Sequence, residues 1–549
     1  MRQVQSGGQW RCLLLLAFWS VLPAGAQSPK DAQFLATLGD LREAAYADKA
    51  SIVERLSQEG HPSLRTVLTA FLDGRLFFRN DDQQVFIVRS ADGDPLNLIN
   101  PVSLKDAGTA RADNLTLIGT NNSLRRLVRS TVARFALSSS DAAVRLDAVR
   151  EMLKSLDDET VALLRERSKV ETNSGVKKEI ATALALSALD GTDSSARLKA
   201  IATLGESVSQ DVRNRLALLL EKNPDGGFVE GDAKVRQAAG SAVQSIDSSR
   251  SFYSGIETLF FGLSLGSVLV LIAIGLAITF GVVGVINMAH GELMMLGAYT
   301  TYAVQMAMPG HIGISILIAV PAAFLVSGLT GVLMERTVIR YLYGRSLETL
   351  LATFGVSLIL QQSVRSIFSA LNRSVITPDW MSGSLRLNDA LAITYNRLYI
   401  VIFTLIIFSL SMLVLKRTRI GLDIRAVSQN RSMARAMGIR TEWVDAMTFG
   451  LGSGIAGVAG VALSQLTNVG PNLGQAYIID SFMVVVFGGV GNLWGALIGG
   501  MSMGIVNKLL EPYAGAVLAK IFVLVALILF IQTRPRGLFP QVGRAAEDK

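Results

Sequence analysis

Asn287-Met-Ala-His290-Gly-Glu292-Leu-Met-Met-Leu-Gly297-Ala-Tyr299 sets an amide, an imidazole and a carboxylate inside a half-chain of consecutive apolar segments. An ionisable side chain at membrane depth costs roughly 2.5–3.5 kcal/mol by insertion scales, so such groups face a protein interior or a water-filled path. The stretch therefore reads as part of a membrane transport subunit rather than a soluble enzyme. Asn287, His290 and Glu292 are candidates for a translocation path. The competing reading is structural or interfacial, with Glu292 paired to a loop arginine. A single histidine without a cysteine nearby gives no metal site.

Outward from this stretch the chain divides in two. Its 549 residues are 50% hydrophobic and 17% charged, below the ~25% charged share of soluble domains. Residues 27–250 are rich in Arg, Asp, Lys and Glu, whereas 256–533 are mostly Leu, Ile, Val, Ala, Gly and Phe. The net charge of +8 does not indicate nucleic acid. The arginines of the apolar half fall in short loops beside hydrophobic spans, and no basic patch is interleaved with aromatics.

Apolar segments fall near 257–281, 289–308, 312–335, 349–370, 398–416, 445–467, 477–490, 491–510 and 515–533. Most reach the ~20 residues a spanning helix needs. Arginines and lysines concentrate at 336–345, 416–440 and 534–549, which positive-inside bias places in the cytoplasm. Met1-Arg2, Arg11, the apolar run Cys12–Leu22 and Ala24-Gly-Ala26 predict a secretory signal cleaved after Ala26, which would remove the only cysteine, Cys12. Residue 27 then starts outside, and a cytoplasmic tail needs an odd number of crossings. About nine satisfies this.

In the exported half, Arg75-Leu-Phe-Phe-Arg79, Asn80-Asp-Asp82 and Gln83-Gln-Val-Phe-Ile-Val-Arg89 predict a hairpin, with Gly93-Asp-Pro95 as the next break. Ala142–Arg150, Gly175–Leu184, Ser195–Leu204 and Ala233–Val243 look alike: small residues, a basic residue, then apolar residues at helical spacing. Stacked helical pairs of the HEAT type look this way, and so does a plain helical bundle. Gly226-Gly227 reads as a loop and Ser248-Ser-Arg-Ser251 as a linker into the membrane.

The expected fold is mainly α, a polytopic helical membrane protein of about nine hydrophobic segments. A mostly helical, partly HEAT-like periplasmic domain with a small β element precedes it. The expected divisions are a signal peptide at 1–26, a periplasmic domain at 27–250 and a transmembrane domain at 251–549. The periplasmic part holds its β element near 75–100 and its helical repeats near 123–246, and the transmembrane part holds a cytoplasmic loop at 417–444.

Gly450, Gly452, Gly454, Gly457 and Gly460 give one span small faces for backbone contact. The GxGxxG match at Gly452-Ser-Gly-Ile-Ala-Gly457 follows no soluble strand and carries no nucleotide argument. Gly488-Gly489-Val-Gly491-Asn492-Leu-Trp494-Gly495 interrupts an apolar stretch, either as a broken helix lining a cavity or as a tight helix hairpin. Gln361, Gln362 and Arg365 sit near an outer membrane end and read as snorkelling groups. The loop 421–440 holds a short amphipathic helix with Ala426, Val427, Met433, Ala434 and Met437 apolar and Gly438 as its stop. The sequence contains no GxxxxGK[ST] phosphate cradle.

Several motifs in order resemble the branched-chain amino-acid ABC permease family. They are Asn287-x-Ala-His290-Gly-Glu292, Gly421-x-x-x-Arg425-Ala-Val-x-x-Asn430 with Ala434-x-x-x-Gly438-Ile439, Ala456-Gly457-x-Ala459-Gly460, Gly488-Gly489-x-Gly491-x-x-Trp494-Gly495-Ala496, and Arg534-Pro-Arg-Gly-Leu-Phe539. The resemblance implies a non-enzymatic permease working with a second related permease, two cytoplasmic ATPases that carry ATP and Mg, and a periplasmic solute-binding protein. It also implies that Gly421, Arg425, Ala434 and Gly438 belong to the element coupled to the ATPases, with no cofactor on this chain. The added exported half resembles bacterial urea ABC transporter permeases. For a neutral solute such as urea, Asn287, Thr300, Thr301 and Asn492 are uncharged path candidates. Branched-chain amino acids or short amides are the alternative solutes. A membrane-anchored sensor would need an output domain that the short stretch after Arg536 does not supply, and a membrane hydrolase built on His290 and Glu292 would need a nucleophile.

Overall fold

The computed structural model describes residues 29–89, 95–154, 156–224 and 227–539. The signal segment 1–26 with Cys12, Gly93, Asp94, Gly226, Arg544 and Lys549 lie outside the described residues. The chain folds as two compact units, one holding 1–207 and 215–243, the other 208–214 and 244–549.

The chain begins its described course with α1 (Pro29–Gly39), α2 (Tyr46–Glu59) and α3 (Leu64–Leu72). Strands β1 (Leu76–Arg79), β2 (Val85–Val88), β3 (Leu96–Ile99), β4 (Asp106–Ala110) and β5 (Leu115–Leu117) follow. They form one sheet in the order β4-β3-β2-β1-β5, with β1 and β2 antiparallel and Leu76 opposite Ile87. The expected hairpin is thus the centre of a larger sheet reaching Leu117. Its outer strand β4, Asp-Ala-Gly-Thr-Ala, is largely exposed and has no apolar alternation to reveal it. Phe34, Leu38, Leu68, Phe71, Leu76, Ile87 and Val128 share the core beneath the sheet.

Helices α4 (Asn122–Ala136), α5 (Ala142–Met152), α6 (Asp158–Val170), α7 (Ser174–Ala188), α8 (Ser194–Leu204) and α9 (Gln210–Leu218) come next. Asn121, Asp141, Asp157, Asn173 and Asp193 cap α4 to α8 in turn, each side chain accepting a backbone N–H of the first turn. A cap of this kind is worth about 1 kcal/mol. Four residues after Asn121, Asp141, Asn173 and Asp193 come Arg125, Arg145, Lys177 and Arg197. Arg145, Lys177 and Arg197 are the basic positions of the first three repeats, and Arg236, four residues after Asp232, is that of the fourth. Arg145 donates to the Ser139 and Ser140 carbonyls at 2.9 Å, and Arg236 repeats the geometry on Glu230 and Gly231 at 2.7 and 2.9 Å. Helix α7 packs against α5, α6 and α8.

Glu171 closes this arrangement. It accepts from Arg145 at 2.8 and 2.9 Å, from Arg167 at 3.0 Å and from the Asn173 N–H at 3.0 Å. The Arg145 guanidinium, then the Asn173 N–H and Arg167, hold its carboxyl down to about 2 against the burial that opposes them.

Helix α10 (Ala233–Val283) runs 51 residues. Ser248–Ser251, expected as a linker, lies inside it. The stretch holds serines but neither glycine nor proline, and serine lowers helix propensity without breaking a helix.

The remaining helices are α11 (His290–Ala307), α12 (Ile312–Thr337), α13 (Ser346–Phe368), α14 (Tyr395–Arg417), α15 (Arg419–Gln429), α16 (Arg431–Ala436), α17 (Thr441–Ser464), α18 (Leu473–Gly488) and α19 (Leu493–Thr533). A hairpin of β6 (Ser384–Asn388) and β7 (Leu391–Thr394) precedes α14. Among the described residues, six helices are long and apolar enough to cross a membrane: α10, α12, α13, α14, α17 and α19. Helices α11 and α18, of 18 and 16 residues, lie among them.

Helix α19 is two helices joined at Gly515, whose φ of 76° is left-handed. Gly495 lies against Gly488 and Gly499 against Val484, so its first half runs antiparallel to α18. Lys520 bonds Asp480 at 2.9 Å and Phe530 packs on Phe487 at 4.8 Å, so its second half runs parallel to α18. The chain doubles back at Gly515, so the described residues hold nine apolar helical segments where about nine were expected.

Helix α17 is the centre of the bundle, buried from Gly452 through Ser464. A Cβ on Gly452 would stand 2.6 Å from the Gly275 carbonyl of α10, and one on Gly460 would stand 2.7 Å from the Ala298 N of α11. Gly457 meets Gly297 of α11 and Ala323 of α12 in the same way. Lipid supplies no hydrophobic drive between helices, so close backbone packing holds such contacts.

Candidate functional site

Helix α10 ends at Val283, Gly284 takes a φ of 71°, and 284–289 is not helical. His290 then donates from Nε2 to the Ile272 carbonyl at 3.1 Å, eleven residues back from Val283. At 1.5 Å per residue this is about 16 Å along α10. The chain thus turns back beside α10 and starts α11 within the bundle. Side chains satisfy the irregular backbone. Asn287 Oδ1 accepts the Ala289 N–H at 3.0 Å, and Thr353 Oγ1 accepts the Met288 N–H at 3.2 Å. Non-helical backbone at this depth is tolerated where protein buries it or where it lines a cavity.

His290 and Glu292 do not act together. Two positions on a helix differ by about 200°, and the pair points to opposite sides. His290 is fully buried beside Gly275, and its Nδ1 has no hydrogen-bond partner among the described residues. Glu292, 1% exposed, faces α13, where Oε1 accepts from Gln361 at 2.7 Å and Ser357 at 3.2 Å. Its Oε2 has no hydrogen-bond partner among the described residues. The carboxylate is held by neutral donors rather than by a loop arginine.

Gln361 corrects the sequence reading directly. It is 4% exposed and bonded to Glu292, so it does not snorkel. Thr349, Thr353, Ser357 and Gln361 recur every four residues and form the buried stripe of α13. That spacing of polar residues within an apolar span was the available signal. Arg365 donates instead to Asn472 at 2.7 Å, and Gln362 is exposed.

The other path candidates are engaged elsewhere. Thr300 and Thr301 return their hydroxyls to the Leu296 and Gly297 carbonyls of α11 at 2.7 and 3.1 Å. Asn492 is the N-cap of α19, accepting from Trp494 and Gly495 at 3.0 and 3.3 Å. The glycines beside it form a tight helix hairpin rather than a cavity. Gly488 lies backbone to backbone on Gly495, and Gly489 and Gly491 take φ of 101° and 77°. Leu538 and Phe539 donate their N–H groups to the Phe487 and Gly488 carbonyls at 2.9 and 3.1 Å. Two motifs far apart in sequence thus close one helix end.

The polar loop is two helices rather than one. Asn430 separates α15 from α16 and caps the latter through the Met433 N–H at 2.9 Å. Gly421 lies against the Leu415 backbone, and Arg425 donates to the Leu415 carbonyl. Ala434 packs with Ile424, Val427 and Val444, and Gly438 ends the turn at φ 87°. These residues shape the loop from within. The expected single apolar stripe is therefore split. Val427 and Ala434 face inward, whereas Leu422, Met433 and Met437 face outward, Met437 being 77% exposed.

A glycine-packed bundle of apolar helices, with a helix starting inside it and a structured polar loop, defines an integral membrane transport subunit. Residues 258–532 match the family described as branched-chain amino acid transport system / permease component. The chain belongs to this family. It is 31% identical over 313 residues to the high-affinity branched-chain amino acid transport system permease protein LivH of Salmonella typhimurium, covering 55% of this chain and 99% of the relative. It is 30% identical over 308 residues to the corresponding protein BraD of Pseudomonas aeruginosa, covering 54% and 98%. A probable LivH of Methanocaldococcus jannaschii is 29% identical, covering 50% and 88%. No solved structure gives a significant match. Residues before 258 lie outside the family match.

Proposed function

We propose that this chain is the permease subunit of an ATP-driven importer of urea in the bacterial inner membrane. In this reading residues 27–250 lie in the periplasm, and loop 417–444 and the C-terminal residues lie in the cytoplasm. Its partners are a second related permease, two ATPases that bind ATP and Mg, and a periplasmic solute-binding protein. The family supports the permease role. The wide Arg and Lys loops support the sidedness.

The observation that carries a solute role is the α13 stripe meeting the start of α11. Thr353, Ser357 and Gln361 present uncharged hydrogen-bonding groups beside Glu292, whose second oxygen has no hydrogen-bond partner among the described residues. A small neutral amide offers N–H donors to that oxygen and a carbonyl to the second N–H of the Gln361 side-chain amide. The Thr353 and Ser357 hydroxyls already donate to Leu350 and Glu292. The added N-terminal half supports urea over an amino acid. The names of the relatives favour branched-chain amino acids as the second reading.

Reconstituted vesicles containing the complete transporter separate the two. Labelled urea accumulates with ATP inside the ATPase compartment, and excess unlabelled leucine leaves that accumulation unchanged. Leucine uptake without urea uptake would overturn the choice of solute.

A further inference from the structure

Arg431, on α16, lies where three elements of the bundle meet. Its guanidinium makes a two-pronged ion pair with Asp445 in the second turn of α17, Nη1 standing 3.1 Å from Oδ1. The same group lies over the Tyr343 ring at 3.9 Å and donates to its hydroxyl. Tyr343 sits in the turn just before α13. Thr349 fixes that turn to the helix by donating to the Leu342 and Arg345 carbonyls at 3.1 and 2.8 Å. From Thr349 the helix runs unbroken for twelve residues to Gln361, about 18 Å at 1.5 Å per residue. Gln361 holds Glu292 at the start of α11.

Two observations make this a route for force rather than a decoration. First, Asp445 and Glu335 are each 2% exposed. Glu335 lies 3.6 Å from Arg336, with Arg340 and Arg431 also within electrostatic reach, and its Oε2 lacks a hydrogen bond among the described residues. Removing Arg431 leaves the buried Asp445 without its ion-pair partner and beside a second buried carboxyl, an arrangement that low-dielectric surroundings penalise. Displacing α16 therefore drags its neighbours instead of sliding past them. Second, α13 is buried along its Thr349–Gln361 stripe and Val364. Its other face is open, Leu347 being 81% exposed. A helix packed on one stripe shifts more readily than the enclosed α17.

We propose that Arg431 is the positioning residue that transmits movement of the loop helices to α13, and through α13 to the Gln361–Glu292 pair. The contact with Tyr343 is the transmitting element and the ion pair with Asp445 is the anchor. This rests on the importer reading above.

The test is solute accumulated per ATP hydrolysed, measured on the complete transporter in vesicles. Arg431→Lys keeps a positive charge but loses the planar, two-pronged geometry. Tyr343→Ala removes the ring, and Tyr343→Phe keeps it. Arg431→Lys and Tyr343→Ala are expected to lower accumulation per ATP at least tenfold while ATP hydrolysis and subunit stoichiometry stay within about twofold. Tyr343→Phe retains at least half of the wild-type ratio. A wild-type ratio in Arg431→Lys and Tyr343→Ala overturns the proposal, as does a parallel loss of hydrolysis and uptake, which reports assembly alone. Should one variant protein be absent from the membrane, the ratio measured on the other decides. If wild-type vesicles take up leucine and no urea, the solute reading fails, and the same ratio measured with leucine still tests Arg431.

Discussion

Gln361 of α13 donates a 2.7 Å hydrogen bond to Glu292 in the first turn of α11, joining residues 69 positions apart. A neutral amide thus holds a buried carboxylate where an arginine would have been the obvious partner. The bond also joins an irregular helix start to a lightly packed helix, so its loss affects both.

Gln361→Leu is expected to lower solute uptake at least tenfold and to destabilise the bundle by about 1–2 kcal/mol. Hydrogen bonds between membrane helices contribute roughly 0.6 and at most about 1.7 kcal/mol, those to charged groups about 1.5–3. Glu292→Gln keeps an acceptor for Gln361 and tests the charge separately. Uptake and thermal unfolding of the detergent-purified transporter read the two effects, and unchanged uptake in both variants would remove this site from the path.

The Gly275–Gly452 crossing predicts intolerance of any side chain. Gly452→Ala sets a methyl 2.6 Å from the Gly275 carbonyl and 2.6 Å from Thr279 Cγ2. Membrane-inserted protein should fall severalfold. Gly355→Ala in α13 meets nothing within 4 Å, and helix propensity favours it by about 1 kcal/mol. Immunoblots of membrane fractions compare the two, and equal abundance would show that α10 and α17 part easily.

Met437→Glu should weaken copurification of the ATPase subunits severalfold and leave membrane insertion intact, because Met437 points outward. Ala434→Glu should destabilise the loop itself, since Ala434 packs against Ile424 and Val427. Protease cleavage within 418–440 distinguishes them: faster cutting is expected for Ala434→Glu alone.

Glu171 makes the N-terminal unit acid-sensitive. Its carboxyl is held at about 2, below the ordinary 4.5, so folding favours the ionised form. That stabilisation is complete above about 4.5 and is lost as pH falls from there toward 2. Thermal melts of the purified full-length protein should show Glu171→Gln flattening the part of the pH profile between 5 and 3. A wild-type slope in the variant would assign the acid response to other carboxyls.

Much of the fold was legible because hydropathy and glycine spacing report on lipid burial directly. The small faces of Gly452, Gly457 and Gly460 meet α10, α11 and α12 as their spacing implied. The irregular segment 284–289 was not legible. Gly-Val-Ile-Asn-Met-Ala is as apolar as the spans on either side, and hydropathy does not separate extended from helical backbone. The partner of Glu292 was missed because Gln361 was judged by its place near a span end rather than by its four-residue spacing with Ser357 and Thr353. Ser248–Ser251 was misread because serine clusters mark loops on average, yet nothing there ends a helix.

The clasp of Leu538 and Phe539 on the end of α18 sets an order of events in biogenesis. A ribosome finishes the hairpin at Gly489 and Gly491 some fifty residues before it makes the strip that seals the Phe487 and Gly488 carbonyls. Until then those carbonyls must be solvated by water or headgroups, and the last helical pair stays unlocked. Maturation of this half therefore waits on residues 538 and 539, and a nascent chain arrested before 534 would hold α10 through α19 yet lack the completed bundle.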